Sequence, residues 1–112
     1  MSQITTHILD TSIGKPAPDV AVTLLFDEDE GWRQIAADRT DQDGRLGDWL
    51  GGISLHPGTY KLHFAVAEYF ERRVSEAFYP YVEIVFTVAA EGQHYHVPLL
   101  LSPYGYSTYR GS

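Results

Sequence analysis

The stretch Gly58–Val66, "GTYKLHFAV", sets Tyr60, Leu62, Phe64 and Val66 on one side and Thr59, Lys61 and His63 on the other. A period of two belongs to a strand with one buried face. Similar short runs recur at 4–9 ("ITTHIL"), 20–26 ("VAVTLLF"), 32–40 ("WRQIAADRT"), 81–89 ("YVEIVFTVA"), 94–102 ("HYHVPLLLS") and 106–110 ("YSTYR"). Turn-forming stretches separate them: "DTSIGKPAPD", "DEDEG", "DQDG", "EGQ" and a Pro-Tyr-Gly corner. Short strands with regular turn signals predict an all-β sandwich of about seven to eight strands. One segment breaks the period. In "AEYFERRVSEA" and the valine before it, Val66, Phe70 and Val74 recur every fourth residue, which predicts one short amphipathic helix. "RLGDWLGG" (45–52) has no readable period.

A chain of 112 residues is expected to form a single domain, 1–112, with a core that needs no metal or disulfide to fold. It contains no cysteine, which removes thiolate nucleophiles and zinc–thiolate sites from consideration. A formal charge of −7 argues against nucleic acid and anionic membranes as partners, because both reward clustered Lys and Arg. No apolar run approaches the ~20 residues of a membrane span. "MSQITTHILD" lacks the basic and apolar regions of a signal peptide, and the terminal Arg-Gly-Ser is not a peroxisomal address. A cytoplasmic location is the expectation.

Alternation also assigns faces. In 94–102, Tyr95, Val97, Leu99 and Leu101 form an apolar set, while His94, His96, Pro98 and Leu100 form a mixed one suited to a cleft or a subunit contact. Thr5, His7 and Leu9 form the mixed set of the first strand. Pro98 has no N–H, which predicts an edge strand or a bulge there. His-X-His on a strand projects two imidazoles the same way and can chelate zinc if His7 adds a third ligand. The plainer reading makes His94 and His96 half-exposed strand residues. His56 before Pro57, and His63 on its alternating strand, carry no sign of a site. Arg45 after "DQDG" reads by itself as a solvated turn residue, and the acidic runs as solubilising loops. Neither the strand–GxGxxG–helix context of a dinucleotide site nor a G-x-S-x-G elbow is present. Residue patterns therefore reach a sandwich with a histidine-bearing mixed face and name no reaction.

"HYHVPLLLSPYGYSTYRGS" (94–112) resembles the C-terminal signature of the transthyretin-related 5-hydroxyisourate hydrolases, down to the final Tyr-Arg-Gly-Ser. "THILDTSIGKPA" (6–17) is similar to that family's N-terminal motif, and "DGR" (43–45) to its internal arginine motif. The resemblance implies a transthyretin-like sandwich with one short helix, assembled as a homotetramer, a dimer of dimers around a central channel. It places His7, His96 and Leu100 on the channel, with Ser107 and Tyr109 from the last strand. It implies no cofactor and no metal. It divides the family into hydrolases and thyroid-hormone carriers, and this chain keeps the hydrolase set: His7, Arg45, His96 and Tyr109-Arg110-Gly111-Ser112.

The implied reaction is hydrolysis of the cyclic amide of 5-hydroxyisourate to 2-oxo-4-hydroxy-4-carboxy-5-ureidoimidazoline, a step of urate breakdown. Such chemistry needs an activated water, a stabilised oxyanion and a proton for the departing nitrogen. The resemblance assigns the water and proton to His7 and His96 in either order. It assigns the oxyanion to the guanidinium fork of Arg45. Ser112 joins the catalytic set through its hydroxyl or terminal carboxylate, so a C-terminal tag is expected to lower activity more than an N-terminal one. Tyr109, Arg110, Gly111 and Ser112 join His7, Arg45 and His96 in contacting substrate, and His94 is a second-tier candidate. The alternative is a non-catalytic carrier of small ligands in the same channel.

Overall fold

The computed structural model describes residues 2–111, which fold into two packed sheets and one helix. In chain order the elements are β1 (Ile4–Asp10), β2 (Lys15–Pro16), β3 (Ala21–Asp27), β4 (Trp32–Arg39), β5 (Arg45–Leu46), β6 (Gly58–Phe64), α1 (Val66–Arg72), β7 (Val82–Val88), β8 (Tyr95–Ser102) and β9 (Gly105–Thr108). The expected sandwich is present. Seven strands match the alternating runs, and two more, β2 and β5, are two-residue pairings that carry no periodic signal.

One sheet runs β2-β1-β8-β9 with β5 against β1; the other runs β4-β3-β6-β7. Alternation along each strand turns one apolar set inward. Ile4 and Ile8 of β1, Val22 and Leu24 of β3, Leu62 and Phe64 of β6, and Leu99 of β8 are wholly buried between the sheets. Burial on this scale contributes about 1.5–3 kcal/mol for each large side chain, offset in the main by chain entropy. The helix closes one end with Val66, Tyr69 and Phe70 buried.

Asp10 is fully buried at the end of β1. Its carboxylate accepts from the Ser12 amide (3.0 Å) and hydroxyl (2.5 Å), from the Tyr69 hydroxyl (2.6 Å) and from Arg73 (2.7 Å). Burial raises the carboxyl pKa, and these four donors together overcome it and hold the group below its ordinary value. The cluster ties the helix to the first strand.

Two expectations need correction. Val74 does not continue the buried stripe of the helix: it is 94% exposed and lies beyond the last turn. The Ser75 amide donates to the Phe70 carbonyl and the Val74 amide to that of Glu71, which closes the helix with Val74 at φ +53°. Pro98 lies on neither an edge strand nor a bulge, because β8 runs unbroken between β1 and β9. The β9 ladder begins only at Leu99, so the missing N–H falls beside a gap in pairing, where the Thr108 hydroxyl donates to the Pro98 carbonyl (2.7 Å). Among the described residues no helix is long and apolar enough to cross a membrane.

Candidate active site

Strands β1 and β8 are parallel, pairing without interruption from Ile4 opposite Tyr95 to Asp10 opposite Leu101. Paired residues share a face. Thr5 therefore stands beside His96, His7 beside Pro98 and Leu9 beside Leu100, on the side away from the core. On the other flank of β1, Arg45 of β5 pairs with His7. Three segments distant in sequence thus bring His7, His96 and Arg45 onto the outer face of one sheet.

The turn before β5 explains the spacing Asp-Gly-Arg. The Asp41 carboxylate accepts from the Asp43 amide (2.9 Å) and the Arg45 amide (3.0 Å), which folds 41–45 into a tight loop. The Gly44 carbonyl in turn accepts from the Ile8 amide (2.8 Å), pinning the loop to β1 one residue after His7. Gly44 sits at φ +72°, and a Cβ there would stand 2.6 Å from the Ile8 carbonyl oxygen. Only glycine permits both that backbone and that approach.

Arg45 is exposed, and among the described residues its guanidinium makes no ion pair. Both imidazoles are partly buried and feel its charge. Burial lowers the His7 pKa from its ordinary 6.5 and Arg45 lowers it further, while the Asp43 main chain and the Asp41 and Asp43 carboxylates pull the other way. Burial likewise lowers His96, followed by Arg45, His94 and His7, with the Thr5 main chain opposing them. Two rings held neutral near pH 7 beside an exposed cation are suited to take a proton from water while the cation receives negative charge.

Thr5 was placed on this face by alternation but given no role. It is nearly buried, and its Oγ1 lies 2.8 Å from His96 Nδ1 and 2.9 Å from His94 Nε2. The signal that would have found it, the parallel register of β1 with β8, is not visible in either strand alone. His94 itself is exposed. Among the described residues no three His, Asp or Glu side chains are grouped to hold a metal ion. A threonine hydroxyl, rather than a third ligand, lies between the His-X-His pair.

The tail returns along β8. The Gly111 amide donates to the His96 carbonyl (2.7 Å), and a Cβ on Gly111 would come 2.7 Å from His96 Cδ2. Arg110 turns the other way, its guanidinium 4.5 Å above the Tyr95 ring. Tyr109 and Arg110 line an edge cleft of about 540 Å³ with Ile84, Phe86 and Val97. The structure thus brings Gly111 against His96 and leaves the Arg110 side chain on the opposite face of the strand. His56 and His63 lie away from this face, beside Glu91 (3.4 Å) and Glu83 (3.0 Å). Ser112 lies outside the described residues.

Residues 4–111 match the model of the HIUase/Transthyretin family. The chain belongs to that family. It is 47% identical over 113 residues to the 5-hydroxyisourate hydrolase of Mus musculus, covering 99% of this chain and 96% of the mouse protein. The structure of Klebsiella pneumoniae 5-hydroxyisourate hydrolase matches 99% of this chain and 100% of its own with a TM-score of 0.86 at 35% identity. Sea bream transthyretin, solved in complex with thyroxine, superposes with a TM-score of 0.91 at 33% identity, over 98% of this chain and 95% of its own. The backbone therefore fits both branches of the family, and the side chains on the face must separate them.

Proposed function

We propose that this chain hydrolyses 5-hydroxyisourate, opening its cyclic amide by water that the His7 and His96 imidazoles activate and Arg45 assists. The observation that carries the reading is the convergence of the His7 and His96 imidazoles and the exposed Arg45 on one sheet face. Relatives named 5-hydroxyisourate hydrolase, 44–47% identical over nearly the whole chain, supply the substrate. In the proposed sequence one imidazole removes a proton from water as it attacks the ring carbonyl. Arg45 takes the charge developing on oxygen, and the departing nitrogen receives the proton. Gly111 pins the tail to the His96 main chain, Tyr109 and Arg110 shape the adjoining edge, and Ser112 contributes through its hydroxyl or carboxylate.

The same reading includes a homotetramer built as a dimer of dimers. Strands β7 and β9 are open sheet edges, and Val85, Tyr106 and Tyr109 on or next to them are exposed apolar groups beside the edge cleft. The site faces outward from the five-stranded sheet, so a second subunit laid on that face would wall it and exclude water. A carrier of small ligands could use the same face, and sea bream transthyretin, of like backbone, was solved in complex with thyroxine. A carrier has no use for a neutral imidazole pair beside a cation.

The test follows the absorbance of freshly prepared 5-hydroxyisourate. Decay well above the spontaneous rate in proportion to protein supports the hydrolase. Stoichiometric binding with unchanged decay supports the carrier.

A further inference from the structure

We propose that Thr5 and His94 form a proton relay behind His96: Thr5 fixes His96 with its proton on Nδ1 and passes that proton outward to His94. The inference rests on the hydrolase reading and deepens it. A hydroxyl has one hydrogen, yet Thr5 Oγ1 lies within hydrogen-bond reach of two ring nitrogens, His96 Nδ1 at 2.8 Å and His94 Nε2 at 2.9 Å. It can donate to at most one of them, so at least one ring must present N–H to it. The two rings cannot both turn a lone pair toward Thr5.

Two features select the direction. Nδ1 is the ring nitrogen of His96 that faces the Thr5 hydroxyl, which leaves Nε2 turned away from it. Gly111 runs close along the Cδ2 side, where a Cβ on it would come 2.7 Å from that atom. Only the far end, Cε1 and Nε2, is left to meet a ligand. With the proton on Nδ1, Nε2 carries the lone pair and is the base. Thr5 Oγ1 accepts from His96 Nδ1 and donates to His94 Nε2.

The relay balances as follows. Water gives a proton to His96 Nε2 as its oxygen bonds to the substrate carbonyl. The Nδ1 proton moves to Thr5 Oγ1, and the Thr5 hydroxyl proton moves to His94 Nε2. His96 is left neutral with its proton on Nε2, and His94 becomes the imidazolium. His96 then gives the Nε2 proton to the departing nitrogen, and the His94 proton returns through Thr5 to Nδ1. Electrostatics favour the outward step. A charge on His96 is partly buried and meets Arg45 from β5, His7 from β1 and His94 from just before β8, whereas His94 is exposed to water.

The experiment uses the whole chain labelled with ¹⁵N at histidine, together with the hydrolysis assay. Long-range ¹H–¹⁵N spectra at neutral pH are expected to show His96 as the Nδ1–H tautomer in wild type and Thr5→Ser. Thr5→Val, nearly the same shape without the hydroxyl, is expected to lose that preference. It should also lower kcat by ten-fold or more with KM little changed, and Thr5→Ser should restore it. An Nε2–H tautomer in wild-type His96 overturns the proposal. So does a Thr5→Val variant with wild-type kcat and pH profile. A wild-type protein that fails to hydrolyse the substrate but shows the Nδ1–H tautomer contradicts the hydrolase reading and leaves the hydrogen-bonded trio standing. If Thr5→Val fails to fold, the wild-type tautomer alone decides the direction of the relay.

Discussion

Arg45 acts through space on both imidazoles while its own side chain stays exposed and, among the described residues, without an ion pair. A cation so placed is available to a ligand, and its loss should be felt in the transition state. Arg45→Ala is expected to lower kcat on 5-hydroxyisourate on the order of 10²–10³-fold, as removal of an oxyanion donor does elsewhere, with an unchanged circular dichroism spectrum. A loss under three-fold removes Arg45 from the chemistry. At this scale residue patterns leave Arg45 and His96 as ordinary turn and strand residues; the family resemblance names them with His7, and the strand register puts the three on one face. Thr5 was not legible in the chain, because a threonine next to a histidine motif looks like any strand residue until β8 is laid beside β1 in register. Arg110 was grouped with the site by its motif. Its guanidinium rests on the Tyr95 ring, on the core side of the strand.

Elements were read with more success than their pairings. Alternation assigned the core set Tyr95, Val97, Leu99 and Leu101 correctly, since a two-residue period leaves no other buried face. It could not say which strands are neighbours: Pro98 suggests an edge strand or a bulge, yet β8 lies between β1 and β9, with Pro98 beside the end of the β9 ladder. Four-residue spacing overran the helix in the same way: Val74 matches the stripe but falls where the chain reverses. A β-branched residue in the left-handed region is strained by about 1–2 kcal/mol. Val74→Gly should therefore raise stability by about 1 kcal/mol, read as a melting temperature higher by several degrees. Asp10 gave no sign of its burial either. Asp10→Asn leaves Arg73 without its carboxylate and should cost about 2 kcal/mol, discounted because Arg73 keeps some water. The folded carboxyl is held below its ordinary value, so its stabilisation is complete above about pH 4 and fades as pH falls below that. Acid titrations of stability should show that slope in wild type and lose it in the variant.

The molecule as a whole presents its site on an open sheet face and leaves strand edges uncovered, those of β7 and β9 among them. In the proposed tetramer further copies of the chain would cover both, which no single-chain pattern reports. Sedimentation at micromolar concentration is expected to give a species of four chains; a monomer with full activity would remove the subunit wall from the account. The matched backbones of a hydrolase and of a transthyretin show that architecture alone does not choose between catalysis and carriage. The choice falls to a few side chains on one face. The most direct measurement is kcat/KM for 5-hydroxyisourate in wild type beside His96→Asn, with folding checked in both. The account predicts rapid hydrolysis by wild type and a loss of at least about 100-fold in the variant, the scale of a missing general base. Equal values for the two proteins would contradict it.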